Sequence, residues 1–286
     1  MALNALTPLL FLPAWPVAVV AGVTRRWTLG VAALVVAVAH VAFVTPELSA
    51  REKGPAISQG ALRFRLFSAN VFAGNPDAGG IAGEIRAGSP DVVFLQEATP
   101  AFVDALDRDG VLGGLPHRVS VARTDPAAGL LASRWPLEDR EVVEVDGRPV
   151  LIRATAMTEL GPVRLYSVHV VAPVGGGRGS WARGLDRVAS IIRSDPQPVL
   201  MAGDFNATWS NRGFRDLLEE TGLTDGAAAR GRALDMTWPN DRRPVPALFR
   251  IDHVLTSRGL AVVGLRTGRG EGSDHRPLVA DVARTG

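Results

Sequence analysis

A chain of 286 residues has room for one large domain with a substantial core, or for two small ones. Its 31 basic residues, all arginine except Lys53, against 29 acidic ones leave a net charge of +2, so no strong single-signed field draws the protein toward nucleic acid. With no cysteine, a disulfide framework, a thiolate zinc site and a cysteine nucleophile are all excluded.

Residues 6–23 carry no charge, and after Thr24-Arg25-Arg26-Trp27 a second uncharged run spans residues 28–44. Each is close to the roughly 17–25 residues that cross a bilayer as a helix. One such run could be a buried core helix, but two in tandem at a terminus argue for a membrane anchor over residues 1–46. Pro8, Pro13 and Pro16 predict a kinked or re-entrant first run, so the second is the stronger span. A cleavable signal peptide is the competing reading, although Leu48-Ser49-Ala50 is a poor cleavage site. With Arg25 and Arg26 in the cytoplasm, the second run places the remaining chain at the extracytoplasmic side of the cell membrane. Arg51, Lys53 and Arg63 weaken that charge asymmetry.

Residues 47–60 turn polar around Pro46, Gly54, Pro55 and Gly60, which predicts a linker. From there a domain is expected over residues 61–286. Leu62, Phe64 and Leu66 alternate with Arg63 and Arg65, the period of a half-buried strand. Further strand-like runs fall at residues 91–95, 129–132, 150–157, 163–170, 199–202, 251–255, 261–265 and 278–282, with helical segments at 81–87, 100–107, 181–193 and 214–220. Several strands succeed one another without a helix between them, which favours an α/β arrangement of two packed, mostly antiparallel sheets with flanking helices. Gly175-Gly176-Gly177 reads as a loop, lacking the Lys and Ser/Thr of a phosphate-cradling motif.

Polar residues stand where these apolar runs end. Gln96-Glu97 closes 91–95, and a charge at the end of a buried strand needs a partner such as a metal ion. Gly203-Asp204-Phe205-Asn206 closes 199–202 and places an acid and an amide two residues apart, on one face of an extended chain. Such a pair can take a proton from water and donate to a phosphoryl oxygen, although Asp-x-Asn is also common in ordinary turns. Asn70 and His169 end two more strands, while Asp252-His253 and Ser273-Asp274-His275 each offer an acid that can orient an imidazole.

The ordered set Asn70, Gln96-Glu97, His169, Gly203-Asp204-Phe205-Asn206, Ile251-Asp252-His253 and Ser273-Asp274-His275 closely resembles the endonuclease/exonuclease/phosphatase superfamily of deoxyribonuclease-like phosphoesterases, over residues 62–283. Gly129-Leu130-Leu131-Ala132-Ser133-Arg134 looks like a structural strand of that group. The resemblance implies a four-layer α/β sandwich with its site at one edge of the sheets. It makes Glu97 the main metal ligand, with Asn70 beside it and Asp274 sharing the ion. Asp204 would activate or orient water, and Asn206 would hold the water or the transition state. His275, paired with Asp252, would contact the phosphoryl group, and His169 would assist a phosphate oxygen or the leaving group. His253 stands where several relatives carry Tyr and is read as a supporting residue.

A sparse Glu/Asn/Asp set suits Mg²⁺, with Mn²⁺ as a substitute, better than zinc. With its N-terminal hydrophobic segments the chain is similar to teicoplanin-resistance-type membrane members of the superfamily, which implies a lipid-linked or other small phosphorylated substrate at a membrane. A nuclease acting on DNA or RNA is the alternative, disfavoured by the lack of a basic, aromatic-interleaved segment. A noncatalytic module is expected to have lost a ligand or the water-activating acid, and here Glu97, Asp204 and His275 all stand.

Overall fold

The computed structural model describes residues 5, 7–48, 62–241 and 244–285. Twelve strands among the described residues form two six-stranded sheets. The first contains β1 (Arg63–Asn70), β2 (Val92–Gln96), β3 (His117–Val121), β4 (Gly129–Ser133), β11 (Leu260–Thr267) and β12 (Leu278–Arg284), in the order β11-β12-β1-β2-β4-β3. The second contains β5 (Leu137–Val145), β6 (Arg148–Thr158), β7 (Gly161–His169), β8 (Val199–Asp204), β9 (Thr224–Asp225) and β10 (Asp252–Thr256), in the order β5-β6-β7-β8-β10-β9. Each sheet has a single parallel pair, β1 with β2 and β7 with β8; the remaining neighbours are antiparallel, as the run of strands without intervening helices leads one to expect.

The central strands are apolar on both faces because alternate residues feed different cores. Leu66, Val92, Phe94, Leu165, Leu200 and Ala202 meet between the sheets. Their neighbours Phe67, Val93 and Leu95 pack outward against Ile81 and Ile85 of helix α4 (Gly79–Gly88) and Phe102 and Leu106 of α5 (Pro100–Arg108). On the other side Tyr166, Val168 and Met201 pack against Trp181, Leu185 and Val188 of α6 (Arg178–Arg193) and Phe214 of α7 (Arg212–Thr221). Helix, sheet, sheet and helix give the expected four layers. A one-turn helix, α8 (Gly226–Ala229), follows β9.

The strand-like and helical runs all coincide with these elements, four of the strand runs overreaching by one residue, at Leu62, Asp91, Val170 and Ile251. The sequence reading omits β3, β5 and β9, each of which closes the free edge of a sheet. β5 buries little of itself along Glu138-Asp139-Arg140-Glu141, so its sequence carries no apolar alternation for a core to impose.

At the N-terminus α1 (Thr7–Leu10), α2 (Ala14–Val23) and α3 (Trp27–Leu48) precede the sandwich. The first apolar run breaks before Pro13, in line with its prolines. Among the described residues one helix, Trp27–Glu47, is long and apolar enough to cross a membrane, with mean hydropathy 2.2. It runs on through Pro46, so Glu47 and Leu48 belong to the helix where a linker is expected; the rest of that stretch, residues 49–60, lies outside the described residues. α2 packs back along α3, leaving Thr24-Arg25-Arg26 at the hairpin tip.

Candidate active site

Each polar residue singled out from sequence stands at the same edge of the two sheets. Asn70 ends β1, Glu97 follows β2, His169 ends β7 and Asp204 ends β8, while Asp252 opens β10 and His275 precedes β12. Glu97, His169, Asp204, Asn206, Asp274 and His275 line one cavity of about 370 Å³.

Local backbone chemistry fixes these side chains. Glu97 and Asn206 both adopt left-handed conformations, φ 59° and 47°, which residues with a Cβ hold only when their surroundings impose it. Gly203 is demanded by close approach: at φ 141° a Cβ there would lie 2.1 Å from the Val168 carbonyl oxygen, so only glycine lets β8 deliver Asp204 beside β7. Ser273 donates to the Asn70 carbonyl at 2.7 Å and accepts the His275 N–H at 3.0 Å, tying the Ser-Asp-His stretch to the end of β1.

Asp204 is fully buried and accepts from the Asn206 backbone N–H at 2.7 Å, Asn206 Nδ2 at 3.1 Å and Asn70 Nδ2 at 3.2 Å. Burial pushes its carboxyl up to about 6; Asp252, its direct cross-strand partner, adds to the rise, and His275 and His169 oppose it. His275 Nδ1 meets Asp252 Oδ2 at 2.9 Å, which aims Nε2 toward Asp204 Oδ2, 3.8 Å away. Burial alone would lower His275, but Asp252 and Asp204 outweigh it and raise the imidazole to about 10. It is therefore cationic at neutral pH. His169 Nε2 sits 3.8 Å from both Glu97 Oε1 and Asp204 Oδ2.

Glu97 accepts from Asn70 Nδ2 at 3.0 Å and from the Ala73 N–H at 2.9 Å. Asn70 thus turns its NH₂ to the two carboxylates, while its oxygen accepts from the Phe72 N–H at 3.0 Å. In this geometry Asn70 orients Glu97 and Asp204. Asp274 accepts from Trp238 Nε1 at 3.1 Å and presents its other oxygen 3.9 Å from His275 Nε2.

The residues fit a hard divalent cation. Glu97, Asp204 and Asp274 bring three carboxylates to one small cavity, and the burial that raises Asp204 leaves its charged form under-solvated, a deficit a cation would relieve. Asp204, Asp252 and His275 also have ligand atoms within 4.8 Å of one another. In that trio His275 Nδ1 and Asp252 Oδ2 already satisfy each other.

His253 does not share the cavity wall. Its fully buried ring lies between Phe205 and Phe214, with Nε2 2.8 Å from the Ala207 carbonyl and Nδ1 close to Asp225 and Arg250. Sequence reasoning missed Trp238, Arg148, Pro149, Pro126, Ala127, Val171 and Ala172, which complete the cavity wall. None carries a local signal. Trp238 reaches the site through its bridge to Phe249.

A double-sheet sandwich that gathers carboxylates, an amide and two imidazoles at its strand ends defines a metal-dependent phosphoesterase. Residues 67–275 match the Endonuclease/Exonuclease/phosphatase family, and the chain belongs to it. Among curated proteins none matches the sequence. Solved structures share the fold. TDP2 of D. rerio, complexed with a single-strand DNA product, is 18% identical over 77% of this chain and 98% of its own, with TM-score 0.66. An endonuclease/exonuclease/phosphatase from Beutenbergia cavernae DSM 12333 is 21% identical over 78% and 72%, with TM-score 0.59. SmcL is 16% identical over 77% and 99%, also at 0.59.

Proposed function

We propose that this chain is a membrane-anchored, Mg²⁺-dependent phosphoesterase that cleaves a phosphate ester or pyrophosphate of a lipid-linked or other small phosphorylated substrate by attack of water on phosphorus. The observation that carries the reading is the convergence of Glu97, Asp204, Asp274, His169, Asn206 and His275 on one cavity.

Glu97 and Asp274 are the residues that would hold the cation, with Asn70 fixing the Glu97 carboxylate. A bound Mg²⁺ neutralises charge on the phosphoryl oxygens, and Mn²⁺ can substitute. Asp204, raised to about 6, is ionised at neutral pH yet basic enough to take a proton from the attacking water. Asn206 holds Asp204 from two sides and contributes to a preorganised polar wall. His275, kept cationic by Asp252, directs a charged N–H into the cavity where negative charge grows on a phosphoryl oxygen. His169, largely buried but lining the cavity, is placed to serve a second oxygen or the leaving group.

The anchor reading rests on Trp27–Glu47 and on the hairpin that sets Arg25-Arg26 at the end remote from the sandwich. By the positive-inside tendency those arginines stay in the cytoplasm and the catalytic domain lies outside. The preference for a lipid-linked substrate rests on this tether and on the resemblance to teicoplanin-resistance-type members expected from the sequence. The likeness to TDP2 in complex with single-strand DNA product supports the second reading, a nuclease.

The test is hydrolysis by the detergent-solubilised full-length chain of bis(p-nitrophenyl) phosphate, a polyprenyl pyrophosphate and plasmid DNA, each with Mg²⁺ and with chelator. Turnover of the first two that vanishes with chelator is expected. DNA cleavage exceeding both by tenfold would establish the nuclease reading instead.

A further inference from the structure

Outside the N-terminal helices, six large apolar side chains are notably exposed among the described residues: Leu62, Phe72, Met157, Val174, Leu234 and Val245. Their distribution is uneven. Phe72 lies two residues beyond the end of β1, and Val174 lies in the loop that follows His169. Leu234 and Val245 project from the segment whose Trp238 walls the cavity. These four therefore stand on loops at the edge where the site opens. Leu62, just before β1, and Met157, near the end of β6, mark the opposite edge.

A second observation says what covers this edge. Arg250 is buried, and its guanidinium holds Asp225 Oδ2 at 2.6 Å, the Ala233 carbonyl at 3.3 Å and Glu47 Oε1 at 3.0 Å. Glu47 is the last residue of the bilayer-length span, and Ala233 precedes Leu234, whose side chain is 68% exposed. One cation thus ties the end of the hydrophobic helix to the loop carrying the most exposed apolar side chain of the domain. Where that helix leaves the bilayer, Leu234 must be close to the lipid surface.

We propose that the site edge is a lipid-docking face, with Leu234, Val245, Val174 and Phe72 entering the headgroup boundary and the Glu47–Arg250 pair setting the tilt of the domain. The proposal rests on the anchored-enzyme reading above and sharpens it: the cavity faces the membrane, so the phosphate it takes is one presented at the bilayer surface. Isolated apolar tips of this kind insert a few ångströms and add binding in proportion to the area buried.

The lack of cysteine makes the test clean. Full-length chains carrying Leu234→Cys, Val174→Cys or Met157→Cys are labelled with nitrobenzoxadiazole and reconstituted into phosphatidylcholine/phosphatidylglycerol vesicles, with and without doxyl-phosphatidylcholine. At least twofold quenching at positions 234 and 174, with none at 157, is the expected result. Equal fluorescence at all three positions in vesicles that float with the protein overturns the docking face and leaves the phosphoesterase reading intact. Failure of the chain to float overturns the anchor and the face together. Because no turnover is measured, a negative hydrolysis assay does not bear on the outcome.

Discussion

Replacing Asp204 by Asn separates catalysis from stability. The carboxyl is fully buried, and its rise from 3.8 to about 6 means the charged form is opposed in the metal-free protein by roughly two pKa steps, or about 3 kcal/mol at neutral pH. Asn removes that penalty. Against it, the new NH₂ must face Asn206 Nδ2 and Asn70 Nδ2, both donors, because the other oxygen position is claimed by the Asn206 backbone N–H. Leaving such donors unpaired costs about 1–3 kcal/mol. The two effects nearly cancel, so the metal-free variant should melt within a few degrees of wild type. Turnover should fall by about 10²- to 10⁴-fold through loss of the proton acceptor. Differential scanning fluorimetry without metal, beside Mg²⁺-dependent hydrolysis of bis(p-nitrophenyl) phosphate, reads both quantities. Turnover within threefold of wild type would remove Asp204 from the chemistry, and a collapse in melting temperature would show that the buried charge stabilises the fold and that the burial argument has the wrong sign.

Asp252→Asn leaves the Nδ1 partner of His275 in place but removes the charge that keeps the ring cationic; kcat should fall by about 10²-fold with little change in KM, and an unaltered kcat refutes the pairing. For Asp225, burial alone would raise the carboxyl, but Arg250 and His253 outweigh it and hold it well below the ordinary carboxylate range. A depressed folded pKa gives stability that is fully present above the unfolded value of about 3.9 and is lost as pH falls toward the folded one. Urea midpoints measured from pH 5 to pH 2.5 should therefore drop steeply, and Asp225→Asn, costing about 3–5 kcal/mol at neutral pH, should flatten that drop. Gly203→Ala would drive a methyl into the Val168 carbonyl and should cost about 3 kcal/mol or more, visible as a melting temperature lowered by roughly 6–12 °C; wild-type stability would mean that β7 and β8 are less closely apposed than observed.

The sandwich and most of its site are readable in the sequence because the signals are local. Val92-Val93-Phe94-Leu95 must be buried, and the next residues, Gln96 and Glu97, are where the apolar run gives way to polar side chains; Val199–Asp204 repeats the pattern. The remainder depends on distant pairing. β3, β5 and β9 are edge strands with one free side and little core to enforce a period. Trp238 belongs to the cavity through Phe249 and Asp274, neither adjacent to it in sequence. Arg250 appears in sequence as a prelude to Asp252, whereas its partner Glu47 lies 203 positions earlier in what reads as a linker. Asn70 illustrates a subtler limit: its place beside Glu97 is foreseen, but which end of its amide faces the carboxylates depends on the Phe72 N–H.

The roles of the two adjacent candidates on β10 follow from alternation alone. Val254 belongs to the core between the sheets and Leu255 to the core under α6 and α7. Two residues back along the strand, Asp252 shares the face of Val254 and stands directly opposite Asp204, while His253 shares the face of Leu255 and packs on Phe205 and Phe214. If Asp252 serves the site, His253 cannot reach it. What His253 does reach is the Ala207 carbonyl just past Asn206, and Arg250, which also holds Glu47 in the last turn of the apolar N-terminal helix. A single strand therefore sends one side chain to the candidate site and the next to the buried ion pairs that fasten the N-terminal helix to the domain, and a one-residue shift in its pairing would destroy both.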